Sequence, residues 1–281
     1  MAIPNIPFRC FAGTGPTYTE GNQIAPQTMI STERARWGPL ATALLAYQEG
    51  QLDAKLLVRT DLRTLEEWPV SLFFRAADEF PPLEREALEL CGPRVIDVGA
   101  GAGPHTLALL ERGHDVLAVE SLPEIASLLQ ARGFPRVTVC SLDELPAGQA
   151  DTVLMLMNGL GLAGTLDGLV PLLRSARRLL APGGRIIADS TDPRQWLEHE
   201  DAQDDLLLQD GRFGGEVQFQ LEYDGMRGEP FPFLYVDPEM LRNRGLRAGL
   251  LLEEVRPFAD GTYLAILAPE DDFAVGEPED G

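Results

Sequence analysis

One stretch constrains this chain more than any other: an apolar run that ends in an acid and passes directly into glycines at every second position. Residues 94–103 read RVIDVGAGAG, placing Asp97 before Gly99, Gly101 and Gly103, and helix-like sequence follows over 104–112. A buried strand, a turn whose missing side chains admit a ligand to the backbone, and a helix N-terminus aimed at that turn together form a nucleotide-binding device. Spacing decides which nucleotide. The dinucleotide fingerprint G-x-G-x-x-G requires a third glycine at position 104, but Pro104 stands there and the third glycine is Gly103. Proline supplies no N–H where a pyrophosphate needs one. A nicotinamide-dependent oxidoreductase is therefore the weaker reading of this turn.

The chain around this stretch alternates. Strand-like runs at 94–98, 115–119, 136–140, 151–157 and 185–188 are separated by helix-like segments at 104–112, 123–132 and 166–180. Parallel strands need crossovers, so this spacing predicts a doubly wound, mostly parallel α/β sheet. The run DTVLMLM is continuously apolar, as a central strand covered on both faces should be. Beyond it, EVQFQLEY at 216–223 alternates polar and apolar, and with the run ending at Val236 it predicts an inserted β-hairpin at about 212–237. A helix is expected over 238–248. Strands at 251–257 and 262–267 follow, the last joined so tightly that it should run antiparallel to its neighbour.

Upstream, residues 1 to about 30 read as irregular chain, a helix is expected from Ser31 or Thr32 to Gly50, and a second over 66–80 with Trp68, Leu72, Phe73 and Ala76 on one face. The expected organisation is an N-terminal arm and helical cap over 1–90, a ligand-binding domain over 91–268 and an acidic, disordered tail over 269–281.

Composition removes several functional classes. A formal net charge of -21 opposes nucleic acid as a partner, because polyanion affinity rests on a basic surface. No run approaches the roughly 18 apolar residues of a membrane span, and no secretory leader is apparent, so a cytoplasmic protein is expected. Cys10, Cys91 and Cys140 are too dispersed for a disulfide framework, a zinc site or an iron–sulfur cluster, and no metal is expected.

The stretch 97–103, D-x-G-x-G-x-G, resembles the first motif of the class I S-adenosylmethionine-dependent methyltransferases. Glu120, closing VLAVE, stands where those enzymes carry an acid for the ribose hydroxyls; Asp151 opens a fourth strand as theirs does; and Leu180-Ala181-Pro182-Gly183-Gly184 matches their L-x-P-G-G element. The run MNGLGLAGTL from Met157 is similar to a bacterial subset of the family without an assigned substrate. The resemblance implies a seven-stranded sheet with its last strand reversed and S-adenosyl-L-methionine as cofactor. It implies that Asp97 faces the methionine ammonium, that Gly99, Ala100, Gly101 and Gly103 lie against the methionine and ribose, and that Glu120, beside Ser121, accepts the ribose hydroxyls. The adenine contact falls on Ser141, Leu142 or Asp143, and His105 is assigned to the cofactor side. Asn158 faces the transferred methyl and, with Asp189 and Tyr235, is a candidate catalytic residue; Tyr223 and His199 are further possible bases. A small-molecule or protein acceptor is implied, while its identity and the oligomeric state stay open. A non-catalytic partner-binding module on the same fold is the competing reading, motivated by the cap, the hairpin and the acidic tail.

Overall fold

The computed structural model describes residues 24–195 and 212–270. The arm before residue 24, His199 and the tail after residue 270 lie outside the described residues.

The chain enters through helix α1 (Ile24–Gln48), which includes residues 24–30, expected as irregular chain. It continues into a hairpin of β1 (Lys55–Thr60) and β2 (Leu65–Pro69), two 3-10 turns (Val70–Phe74 and Ala77–Glu79) and helix α2 (Pro82–Glu89). The helix expected over 66–80 is not formed. Its first residues pair instead with β1, Trp68 opposite Leu56 and Glu66 opposite Val58. Local spacing of aromatic residues suits a helix here, but the strand partner, which periodicity does not reveal, overrides it.

From the Gly-rich stretch onward the alternation folds as expected. Strand β3 (Arg94–Val98) leads through helix α3 (Pro104–Glu111) to β4 (Asp115–Glu120), then α4 (Pro123–Ala131), β5 (Val137–Val139), β6 (Ala150–Met155), α5 (Leu166–Leu179) and β7 (Leu180–Thr191). After residue 212 come β8 (Glu216–Tyr223), β9 (Met226–Arg227), β10 (Phe231–Leu234), α6 (Pro238–Arg247), β11 (Leu250–Pro257) and β12 (Thr262–Pro269). Seven of these strands form one sheet in the order β11-β12-β7-β6-β3-β4-β5. All neighbours pair in parallel except β12, which is antiparallel to both β7 and β11. Val153, Leu154 and Met155 of β6 are completely buried, which is why that strand reads as continuously apolar. Strand order reverses between β3 and β6, and the crevice at their C-terminal ends is where an open α/β sheet receives ligands.

The hairpin inserted after β7 does not stand alone. Strand β8 pairs with β10 on one side and with β1 on the other, Val58 opposite Leu221 and Thr60 opposite Phe219, giving a second antiparallel sheet in the order β10-β8-β1-β2. Cap and insertion are thus one lid, with α1 packed upon it. Strand β8 buries Val217, Phe219, Leu221 and Tyr223 at alternate positions, and a single apolar cluster joins these to Leu44 of α1 and to Leu122, Ile125 and Leu128 on the sheet domain.

A proline fixes how the lid docks. Pro39 inside α1 has no N–H, so the carbonyl of Ala35 one turn earlier lacks its helical donor. The backbone N–H of Glu229 supplies the bond at 2.7 Å. This approach brings the chain so near that a Cβ on Gly228 would lie 2.7 Å from the Arg36 carbonyl oxygen, which accounts for a glycine at that position.

Candidate active site

Between lid and sheet lies a cavity of about 440 Å³. Its floor is the Gly-rich turn after β3, the end of β4, the segment after β5 and the turn after β6. Its roof is α1, β1, β2 and the β8–β10 hairpin.

On the floor, Asp97, one residue from the end of β3, is 2% exposed and receives the Thr106 hydroxyl at 2.5 Å. Burial pushes its carboxyl above the ordinary value, opposed by the nearby His105 and the bonds from Thr106. Glu120 ends β4 and is also buried; its Oε1 accepts the Gly101 N–H at 2.5 Å and its Oε2 the Ser121 N–H at 3.3 Å. Desolvation dominates and raises its pKa to about 7, although both N–H bonds work against the rise. The carboxyl thus ties the Gly-rich turn to the end of β4.

The glycines divide their work. Gly101 has φ +60° and lines the cavity, and a Cβ there would meet nothing within 4 Å. Gly103, with φ +83°, does not line the cavity: a Cβ there would lie 2.7 Å from both the Leu129 and Phe134 side chains. Its absent side chain lets α3 and α4 approach.

Asn158 follows β6 in the left-handed conformation (φ 57°), and its side-chain oxygen accepts the Thr191 hydroxyl at 2.8 Å. Asp189 sits beneath this turn rather than on the cavity wall, accepting the N–H groups of Asn158 at 3.0 Å and Gly159 at 2.9 Å. Burial raises its pKa to about 6 against those two bonds. The Asp189 carboxyl thus holds the 158–159 turn from beneath. Asp143 likewise turns away, receiving the Ser175 hydroxyl at 2.6 Å, whereas Ser141 and Leu142 line the cavity.

His105 reaches the wall, but its Nε2 lies 2.9 Å from Glu84, which also takes the Arg75 guanidinium at 2.8 Å. Burial pushes the Glu84 carboxyl up, and the bonds from His105 and Arg75 outweigh it and hold the group below its ordinary range. Tyr235 lines the roof, its phenol pushed to about 12 by burial and then by Glu66, so it stays protonated at neutral pH. Tyr223 donates to Gln51 at 2.9 Å, outside the cavity.

The roof also carries residues that the motifs did not single out: Glu33 and Trp37 from α1, Leu56 from β1, and Phe219 and Phe233 from the hairpin. Trp68 and Phe73, expected on a core helix face, open onto the cavity as well. Phe219 is the hub, with ring centroids 4.9 Å from Phe233 and 6.3 Å from both Trp68 and Tyr235. The alternation in β8 forecasts an inward aromatic face, but its covering of the Gly-rich turn depends on pairing with β1, 160 residues distant in the chain on the order of contact separation that defeats local reading.

Residues 95–184 match the family described as "Methyltransferase domain". A S-adenosylmethionine-dependent methyltransferase from Bacteroides fragilis, solved in complex with S-adenosyl-L-homocysteine, is similar at 33% identity and a TM-score of 0.71, covering 82% of this chain and 94% of that one. An uncharacterized methyltransferase of Mycobacterium tuberculosis is 32% identical over 127 residues, covering 42% of this chain and 48% of that protein. The cypemycin N-terminal methyltransferase of a Streptomyces species is 32% identical over 111 residues, covering 38% of this chain and 45% of that protein. The chain thus spans about half the length of the curated relatives it matches. Similarity along nearly the whole of the Bacteroides enzyme, with the acid, glycines and Pro-Gly-Gly element in family order, makes this chain a member of the class I S-adenosylmethionine-dependent methyltransferases.

Proposed function

We propose that the chain transfers the methyl group of S-adenosyl-L-methionine to a small-molecule or protein acceptor whose reacting group enters the cavity between sheet and lid. The observation that carries this reading is the continuity of the cavity, which joins a Gly-rich, carboxylate-bearing floor to an aromatic roof in one space of about 440 Å³. The floor suits the cofactor: open space over Gly101 admits a ligand to the backbone, and buried Glu120, spanned only by backbone N–H groups, gains hydroxyl donors when a ribose arrives. Ser141 and Leu142 are the residues assigned to adenine, and Asp97 to the methionine ammonium.

S-adenosylmethionine supplies a methyl already activated on a sulfonium sulfur. What remains for the protein is alignment and the exclusion of water, which in favourable cases lowers a barrier by about 7–11 kcal/mol. In this reading Asn158, held by Thr191 and by the Asp189 carboxylate, shapes the floor where acceptor and methyl meet. The lid closes the space from above. Transfer by in-line displacement then requires an acceptor lone pair opposite the sulfur. Tyr235, protonated, serves as a donor toward the acceptor rather than as its base.

Titration calorimetry with S-adenosylmethionine and S-adenosylhomocysteine tests the reading. Binding of both, weakened at least tenfold by Gly101→Arg, is the expected result. Absence of heat and of thermal stabilisation with either ligand overturns it, and so does an undiminished response in the variant. The Streptomyces relative is named an N-terminal methyltransferase, which supports the protein side of that acceptor class.

A further inference from the structure

The roof narrows the acceptor class. Among the described residues, the cavity wall bears the carboxylates Glu33, Asp97 and Glu120 and neither arginine nor lysine. Asp97 and Glu120 belong to the floor, where they match the ammonium and hydroxyl groups of the cofactor. Glu33 is the additional acid, contributed by α1 from the lid. Trp37 shares the same wall, and the Arg36 guanidinium lies 3.6 Å from the Glu33 carboxylate. Burial raises its carboxyl above the ordinary value, opposed by Arg36 and then by Trp37, so a further cation in the cavity relieves a cost already present. Aromatic rings share the cavity wall with it: Trp37 lies 6.5 Å from Phe233, which stacks at 4.9 Å on Phe219. The faces of such rings attract a desolvated ammonium. An acceptor bearing carboxylate or phosphate meets like charge here, while the nearby cationic groups already have acidic partners, His105 in Glu84 and Arg36 in Glu33 itself.

We propose that the methyl acceptor is an amine on an apolar body, admitted as its ammonium and recognised by Glu33 together with the aromatic roof. This rests on the transferase reading above. Before transfer the ammonium gives one proton to the Glu33 carboxylate, which frees the nitrogen lone pair. The lone pair forms the N–C bond as the C–S bond breaks; sulfur keeps the bonding electrons and leaves as a neutral thioether, and nitrogen becomes a methylated ammonium. Glu33 then releases its proton to solvent.

The test uses three probes of similar shape, phenethylamine, 3-phenylpropionate and 2-phenylethanol, titrated into the full chain saturated with S-adenosylhomocysteine. The amine is expected to bind at least tenfold more tightly than the alcohol, and the carboxylate weakest of all. Glu33→Gln is expected to cut the amine preference to under threefold with S-adenosylhomocysteine affinity unchanged, and Glu33→Asp to keep part of it. With S-[methyl-³H]adenosylmethionine, label should appear on the amine nitrogen and fall at least tenfold in Glu33→Gln. An alcohol bound as tightly as the amine, no measurable amine binding, or a preference that survives Glu33→Gln overturns the proposal. A wild-type chain that fails to bind S-adenosylhomocysteine overturns the transferase reading instead, which keeps the two failures distinct.

Discussion

Substituting alanine at Gly101 and, separately, at Gly103 should divide binding from folding. Both glycines have positive φ, where an L side chain costs about 1–2 kcal/mol. At Gly101 nothing lies within 4 Å of the new Cβ, so that strain is the whole expected loss of stability. At Gly103 the methyl would sit 2.7 Å from Leu129 and from Phe134, both buried, so overpacking adds about 1–3 kcal/mol and the total reaches about 2–5 kcal/mol. At about 2–4 °C per kcal/mol for a chain approaching this size, the Tm should fall by about 2–8 °C for Gly101→Ala and about 4–20 °C for Gly103→Ala. Calorimetry below the transition should show the opposite ranking. The Gly101 methyl projects into the cavity and should weaken S-adenosylhomocysteine at least tenfold, whereas folded Gly103→Ala should bind within about threefold of wild type. Equal Tm losses, or a binding defect larger for Gly103→Ala than for Gly101→Ala, would refute the division of roles.

Four further outcomes follow from the same geometry. Glu120 has a native pKa of about 7 against an ordinary 4.5, so its contribution to ligand-free stability is full below about pH 4.5 and is lost as pH rises through 7; Glu120→Gln should flatten that slope in thermal unfolding measured from pH 5 to 8. Ribose hydroxyls need the ionised form, so S-adenosylhomocysteine affinity should fall below pH 7, by at most about tenfold per pH unit, and lose this dependence in Glu120→Gln. Asp189→Asn at pH 8 replaces one of two carboxylate acceptors with an amide NH₂ facing a backbone N–H, and denaturant unfolding should show a loss of about 1–3 kcal/mol. Gly228→Ala forces the lid away from the Arg36 carbonyl; amides of the β8–β10 hairpin should exchange faster while S-adenosylhomocysteine affinity stays within about threefold.

The sheet domain, and with it the placing of several candidate residues at one rim, was legible because the causes are local. Asp97, Gly101, Glu120, Ser141 and Asn158 lie at strand ends whose order follows from the βα alternation, and the cavity brings them together. Distinctions among neighbours were not legible. Gly103 and Asp143 stand within a residue or two of wall residues, yet one packs against α4 and the other bonds Ser175 on α5. Asp189 shares the rim with Asn158 but points beneath it. The roof was least legible of all. Helical spacing of Trp68 and Phe73 concealed a strand, because β2 exists through β1, and β1 is held by β8 far along the chain. Glu33 reads as a first-turn acid of an expected helix until α1 is laid across the cavity, where it becomes a wall residue.

The most direct measurement is a crystal structure of the chain with S-adenosylhomocysteine. The account predicts the ribose hydroxyls on Glu120, the adenine beside Ser141 and Leu142, and the sulfur facing the roof that carries Glu33, Trp37 and Phe219. S-adenosylhomocysteine bound away from Glu120, or bound with its sulfur walled off from that roof, would contradict it.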